Sequence, residues 1–190
     1  HRRSVLFVKN DYWVILDRFE GSGTHKIDTL FHFAPGKVTS ETASLACSSA
    51  NKGRPNVLIA PSDTRGTSVS IVEGQESPCQ GWISTEYNRR APAPVADYSY
   101  SGLVPMERAY LVYPSRPGQT AIASIERLRL TVDNAAAPER ASAYAVKLPD
   151  GRTDYILFAH GITGSKRFAG IETRDEVAVV RADALGAIAR

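Results

Sequence analysis

Alternation of apolar and polar positions, rather than helical spacing, dominates this chain. Three strand-like runs crowd its first thirty-six residues: Ser4 to Lys9, Tyr12 to Phe19 and His25 to Phe33. They are rich in Val, Ile, Leu, Thr and aromatic residues, which suit a pleated, half-buried surface. Each is too short to be stable as an isolated helix. Asn10-Asp11 joins the first two runs with residues that tolerate left-handed backbone angles, the chemistry of a hairpin turn. The second joint, Glu20 to Thr24, contains two glycines. The pattern predicts a three-stranded antiparallel meander from Ser4 to Phe33.

In the third run His25, Ile27, Thr29, Phe31 and Phe33 share one face, and Lys26, Asp28, Leu30 and His32 share the other. That strand should cover a core on its odd-numbered side only. The middle run has little polar surface on either face, which predicts a central strand covered on both sides.

Strand and turn signals then recur about every 8 to 12 residues, the spacing of an all-β sandwich. Further strands are expected at Lys37 to Thr39, Ala43 to Cys47, Asn56 to Ala60, Thr67 to Glu73, Val95 to Tyr100 and Ala109 to Tyr113. Later ones are expected at Ile125 to Val132, Ser142 to Lys147, Asp154 to Ala159, Arg167 to Ile171 and Val177 to Arg181, with Leu185 to Ile188 closing the chain. Pro149-Asp150-Gly151 marks a hairpin turn. Ile122, Ile125 and Leu128 fall at helical spacing, but Leu128, Leu130 and Val132 alternate, and the alternation favours strand. Gln75 to Pro94 reads as one long irregular loop, of a length that usually carries function or braces an edge. The whole is expected to be a single antiparallel β-sandwich over residues 1–190.

Composition narrows the function classes. With 43% hydrophobic and 23% charged residues the chain is ordinary for a globular protein, and no run approaches the ~18 apolar residues of a membrane helix. The net charge of +3 is spread thinly, with pairs at Arg2-Arg3, Arg89-Arg90 and Lys166-Arg167, so nucleic acid is not an expected partner. The only methionine is Met106, and the abrupt start on a strand suggests a fragment or processed product. Cys47 and Cys79 fit either one disulfide in an oxidising compartment or two free thiols.

Candidate chemistry is sparse. His25 and His32 are seven apart on one strand and so face opposite ways. Asp28 and His32 share a face but lie about 13 Å apart, too far for joint metal ligation without a bend. There is no strained Gly-x-Ser-x-Gly elbow for a nucleophile. Gly161 and Gly164 are not followed by a helix that would make them a phosphate cradle. No cofactor and no metal are expected.

One pattern is recognisable. His-Arg-Arg, an apolar strand, Asp-Tyr-Trp-Val-Ile-Leu-Asp, Gly-x-Gly-x-His and Leu-Phe-His-Phe-Ala-Pro-Gly resemble the C-terminal region of heparinase II/III-like polysaccharide lyases. Gly81-Trp82-Ile83-Ser84, Tyr87, Pro92-Ala93-Pro94 and Val112-Tyr113-Pro114 continue the match. The resemblance implies a C-terminal β-sandwich of a secreted or periplasmic enzyme that cleaves uronic-acid polysaccharides by β-elimination, partnered by a catalytic N-terminal part of the same protein. In that family a helical toroid and a His-Gly-His-Ala-Asp-type motif supply catalytic groups. Neither lies in this sequence, so no catalytic residue carries over. The matched Trp13, Asp17, His25, His32, Gly81, Trp82 and Ser84 read as strand and turn determinants.

Binding remains open. Trp82 and Tyr87 could stack on a sugar and Arg89 and Arg90 could meet acidic groups of a polysaccharide. In the competing reading Trp82 plugs the fold and the arginines are solvated. From another class, the alternative is a stand-alone carbohydrate-binding or structural β-sandwich.

Overall fold

A computed structural model describes residues 1–119 and 122–188. Every regular element among them is a β-strand, and every strand pairing is antiparallel. The chain divides into two compact units, His1–Ala121 and Ile122–Arg190.

The first unit contains β1 (Arg2–Val8), β2 (Tyr12–Phe19), β3 (Thr24–His32), β4 (Val38–Ser40), β5 (Cys47–Ser49), β6 (Asn56–Pro61), β7 (Thr67–Val72), β8 (Trp82–Glu86), β9 (Arg89–Pro92), β10 (Val95–Leu103) and β11 (Met106–Ser115). Six of them form one sheet in the order β1-β2-β11-β6-β5-β4, and three form a second in the order β3-β10-β7. A core of Phe33, Cys47, Ile59, Ala96, Tyr98 and Tyr110 draws on both sheets, which makes this unit a β-sandwich.

The expected meander is half correct. β1 and β2 form a hairpin, closed where Asp11 donates its amide to the Val8 carbonyl at 2.8 Å. The third run does not join them. β3 pairs with β10 in the other sheet, and β2's second neighbour is β11. The Gly21 to Gly23 joint is long enough to change sheets. The face assignment of β3 holds all the same, since Thr29 and Phe33 are buried while Lys26, Asp28 and His32 are exposed. Local spacing identified the strand and its inward face, while its partner depends on residues seventy positions away.

Aromatic rings organise the sandwich core. Phe31, Tyr98 and Tyr110 meet edge to face, with centroids 5.0 to 5.9 Å apart, a geometry that aligns ring edges with π faces. The Tyr98 hydroxyl is buried and shares its one proton between the carbonyls of Leu45 (2.9 Å) and Ile59 (3.1 Å). It thereby ties β10 to β6 and to the turn before β5. Burial holds the Tyr98 hydroxyl and the Cys47 thiol above their ordinary pKa values.

The second unit contains β12 (Ser124–Leu128), β13 (Thr131–Val132), β14 (Ala135–Ala136), β15 (Ser142–Lys147), β16 (Thr153–Phe158), β17 (Lys166–Phe168), β18 (Ile171–Thr173) and β19 (Val177–Ala182). They form the sheets β12-β15-β16-β19 and β14-β13-β17-β18. Leu130, Ala141, Ala143, Leu157, Ala159 and Phe168 fill its core. Strand wins over helix at Ser124–Leu128, as the alternation implied. The Pro149-Asp150-Gly151 turn closes β15 onto β16, with Leu148 donating to Arg152 at 2.9 Å. Leu185 to Ile188 is mainly a turn, with one bridge between Ala182 and Ile188.

Replacing Tyr98 by Phe should remove the one donor that the Leu45 and Ile59 carbonyls share. We expect a loss of about 1–2 kcal/mol, seen as a lower Tm with unchanged β signal in circular dichroism.

Candidate functional site

The four residues singled out for sugar contact lie together on one hairpin. Gln75 to Pro94 is not an irregular loop. β8 and β9 pair within it, joined by Tyr87 and Asn88, with Asn88 at φ 56° and a bulge between Ile83 and Glu86. The sequence hid this hairpin because polar residues and three prolines break the alternation; the Tyr-Asn dipeptide was its one available signal.

At the hairpin base, Gly81 has φ +78°, and a Cβ there would sit 2.6 Å from Glu73 Cα and 2.7 Å from the Val72 carbonyl oxygen. Only glycine fits that approach. Its amide neighbourhood is stitched down: Gly74 and Ala93 both donate to the Gly81 carbonyl, at 2.8 and 2.9 Å. Trp82 follows directly, half-buried, and its Nε1 donates to the Gln75 carbonyl at 2.9 Å.

The arginines are already engaged. The Arg90 guanidinium lies 4.1 Å from the Trp82 ring centroid and donates to both carboxylate oxygens of Glu76, at 2.8 and 2.9 Å. Arg89 reaches Glu86 at 3.2 Å. Tyr87 at the tip is fully exposed. The structure therefore gathers Trp82, Arg90, Glu76 and Gln75 into one cluster, and leaves Tyr87 and Arg89 apart from it at the tip.

The disulfide does not form. Cys47 and Cys79 are both free, Cys47 inside the sandwich core and Cys79 exposed on the turn before Gly81. Cys79 instead faces Arg90, whose Nη1 lies 3.8 Å from its sulfur.

The histidines are dispersed. His1 stacks on Phe19 with ring centroids 4.6 Å apart, and its Nε2 is 2.9 Å from Asp17. His25 contacts the Ser22 carbonyl at 3.0 Å, and His160 lies 3.9 Å from Glu176. Among the described residues no group of three His, Cys, Asp or Glu side chains could hold a metal ion.

A pair of carboxylates escaped the sequence reading. Asp28 and Asp97 sit diagonally on the outer face of the three-stranded sheet, Asp28 opposite Ser99 and Asp97 opposite Leu30. Ser99 and Lys26 hydrogen-bond Asp28 and hold its carboxyl below the usual range. Burial, together with the Asp28 charge, pushes Asp97 up, and its Oδ1 is buried without a hydrogen-bond partner. The pair forms only when β10 lies beside β3, so spacing alone could not reveal it.

Comparison with known proteins adds a family to this geometry. A family model described as "Heparinase II/III-like, C-terminal" matches residues 1–147. The chain is also similar to the solved structure titled "Heparinase III-BT4657 gene product", with a TM-score of 0.62 and 18% identity over 92% of this chain and 24% of that one. It is similar, too, to heparan sulfate lyase HepC from Pedobacter heparinus, at a TM-score of 0.58 and 17% identity over 94% of this chain and 23% of that one. At these identities the likeness shows a shared fold. The chain spans about a quarter of the length of these structures. No curated protein matches it.

Gly81→Ala should dislodge the hairpin base, because the new methyl meets backbone rather than a flexible side chain. A loss of about 2 kcal/mol or more is expected, read as a drop in Tm and faster proteolysis between Gln75 and Pro94.

Proposed function

The chain belongs to the heparinase II/III-like C-terminal family, and from that premise we propose that it is the accessory β-sandwich region of a polysaccharide lyase. In this reading a catalytic part of the parent protein carries out β-elimination on uronic-acid polysaccharides outside the cytoplasm, and this region is not catalytic alone. The observation that carries it is the family match across residues 1–147, and the fold shared with two lyases supports it.

Elimination needs a base for the proton beside the uronate carboxylate, an acid for the departing glycosidic oxygen, and donors that neutralise the carboxylate. Among the described residues the candidate groups are engaged elsewhere, which supports the accessory reading. His1 is held by Asp17, Arg90 by Glu76, and the Asp28–Asp97 pair would repel an anionic substrate. The β8–β9 hairpin acts as a brace: Trp82 anchors it, and the two guanidinium groups face carboxylates of the same segment.

Elimination leaves an unsaturated uronate that absorbs in the ultraviolet. The parent protein should generate that absorbance from a uronic-acid polysaccharide, and the purified 190-residue chain should not. Product from the chain alone would overturn the accessory reading.

Replacing both Arg89 and Arg90 by Ala should leave retention of the parent on an immobilised acidic polysaccharide unchanged at low salt. A marked loss that narrows as salt rises would make the hairpin a polysaccharide contact instead.

A further inference from the structure

The six-stranded sheet of the first unit is wider than the three-stranded sheet that covers it. Strand register places Phe7, Trp13, Val112, Ile59 and Cys47 in one row across β1, β2, β11, β6 and β5. Directly opposed residues point to the same side, and Cys47, Ile59 and Val112 belong to the sandwich core, so the whole row lies on the inner face. Exposure climbs along it, from 0% at Cys47 and 4% at Ile59, through half-buried Val112 and Trp13, to 42% at Phe7. A parallel row behaves alike. Tyr110 is buried, Ile15 half-buried, and Val5 59% exposed.

Cover is lost at the border formed by β3. Contacts between β7 and β4 put β7 at the far side of the small sheet, and Phe31 of β3 meets Tyr110 of β11. At the C-terminal end of β3 the sandwich opens into a cleft of about 480 Å³, where Ile15, Phe31, Phe33, Ile59 and Val112 form an apolar floor and His32, Ser49, Asn51 and Asn56 a polar rim. The cleft continues the core, and Trp13 and Phe7, stacked with centroids 4.6 Å apart, lie further along the same face of the large sheet.

β3 also presents an unused edge. Phe33 donates its amide to the Pro94 carbonyl, so in the alternating antiparallel ladder the odd-numbered residues bond toward β10. The amides and carbonyls of Asp28, Leu30 and His32 point the opposite way. Among the described residues no strand pairs there. A row of unpaired backbone groups beside an apolar trough is what strand addition recognises.

We propose that an extended segment from the catalytic part of the parent protein pairs with this edge of β3 and covers Val5, Phe7, Trp13 and Ile15 with apolar side chains at alternate positions. The inference rests on the reading above, in which this chain is one part of a larger lyase. The similar solved structures leave about three-quarters of their length outside the matched region, ample chain to supply the strand. Strands stand about 4.8 Å apart, so one or two added beside β3 span the uncovered width of β2 and β1.

Hydrogen exchange in the parent protein tests this directly. Amides of Asp28, Leu30 and His32 should exchange at least about 100-fold more slowly than unprotected amides, as paired strands do. Val5→Lys in the same protein should lower Tm, because the charge would be buried under the added strand; on an open face, where Val5 is 59% exposed, it would leave Tm unchanged. Fast exchange at the three amides, or an unchanged Tm, overturns the proposal. So does protection that vanishes on dilution as the molecular mass halves, since the occupant would then be a second copy. Protected amides in a parent that yields no unsaturated uronate overturn the lyase reading alone. Product from a parent whose β3 edge exchanges freely overturns the added strand alone.

Discussion

The placement of β2 between β1 and β11 constrains the rest of the first unit. Its register sets Asp17 directly opposite both Arg3 and Arg108, and Arg3 grips the buried carboxylate through two bonds of 2.7 Å. A slip of one residue would send Asp17 to the other face and strand an ion in the apolar layer. Arg18 and Glu107, opposed on the same pair of strands, add a second largely buried ion pair at 3.1 Å. Charge pairing of this kind does little for net stability. It does penalise every alternative register, so that Tyr110 and Val112 arrive where Phe31 and Ile59 can meet them.

The second unit uses the same device. Asp154 is fully buried and opposed to Arg181, which donates to both carboxylate oxygens at 2.7 Å. Lys166 is also fully buried, with its ammonium on the Arg174 carbonyl at 2.9 Å. A backbone carbonyl offers partial rather than full charge, so this bond offsets less of the cost of burying the ammonium than a carboxylate would.

Strand identity was legible in the sequence because side-chain alternation is a local property. The inward face of β3, the β15–β16 turn and the strand Ser124–Leu128 all follow from neighbours within a few residues. Partnership was not legible: β3 reads as the third strand of a meander, yet its partner β10 begins at Val95, and only the tertiary core around Tyr98 selects it. The β8–β9 hairpin was missed for a different reason. Its stability comes from Gly81, the Trp82 indole and the Arg90–Glu76 pair rather than from alternating apolar residues. The candidate residues Trp82, Tyr87, Arg89 and Arg90 did prove to share one element, but the carboxylates that engage the arginines came from positions carrying no motif.

The unequal widths of the two sheets in the first unit bear on how such a region can be inherited. A sandwich with a complete inner surface can be cut from one gene and joined to another, because its folding makes no demand on its neighbours. On the strand addition proposed above, a six-stranded sheet faced by three strands makes that demand. Its aromatic margin at Phe7 and Trp13 would meet water in any new setting, and recombination at that boundary would be selected against. The region and the chain beside it would then change by compensating substitutions on both sides of the seam, descending as one evolutionary unit.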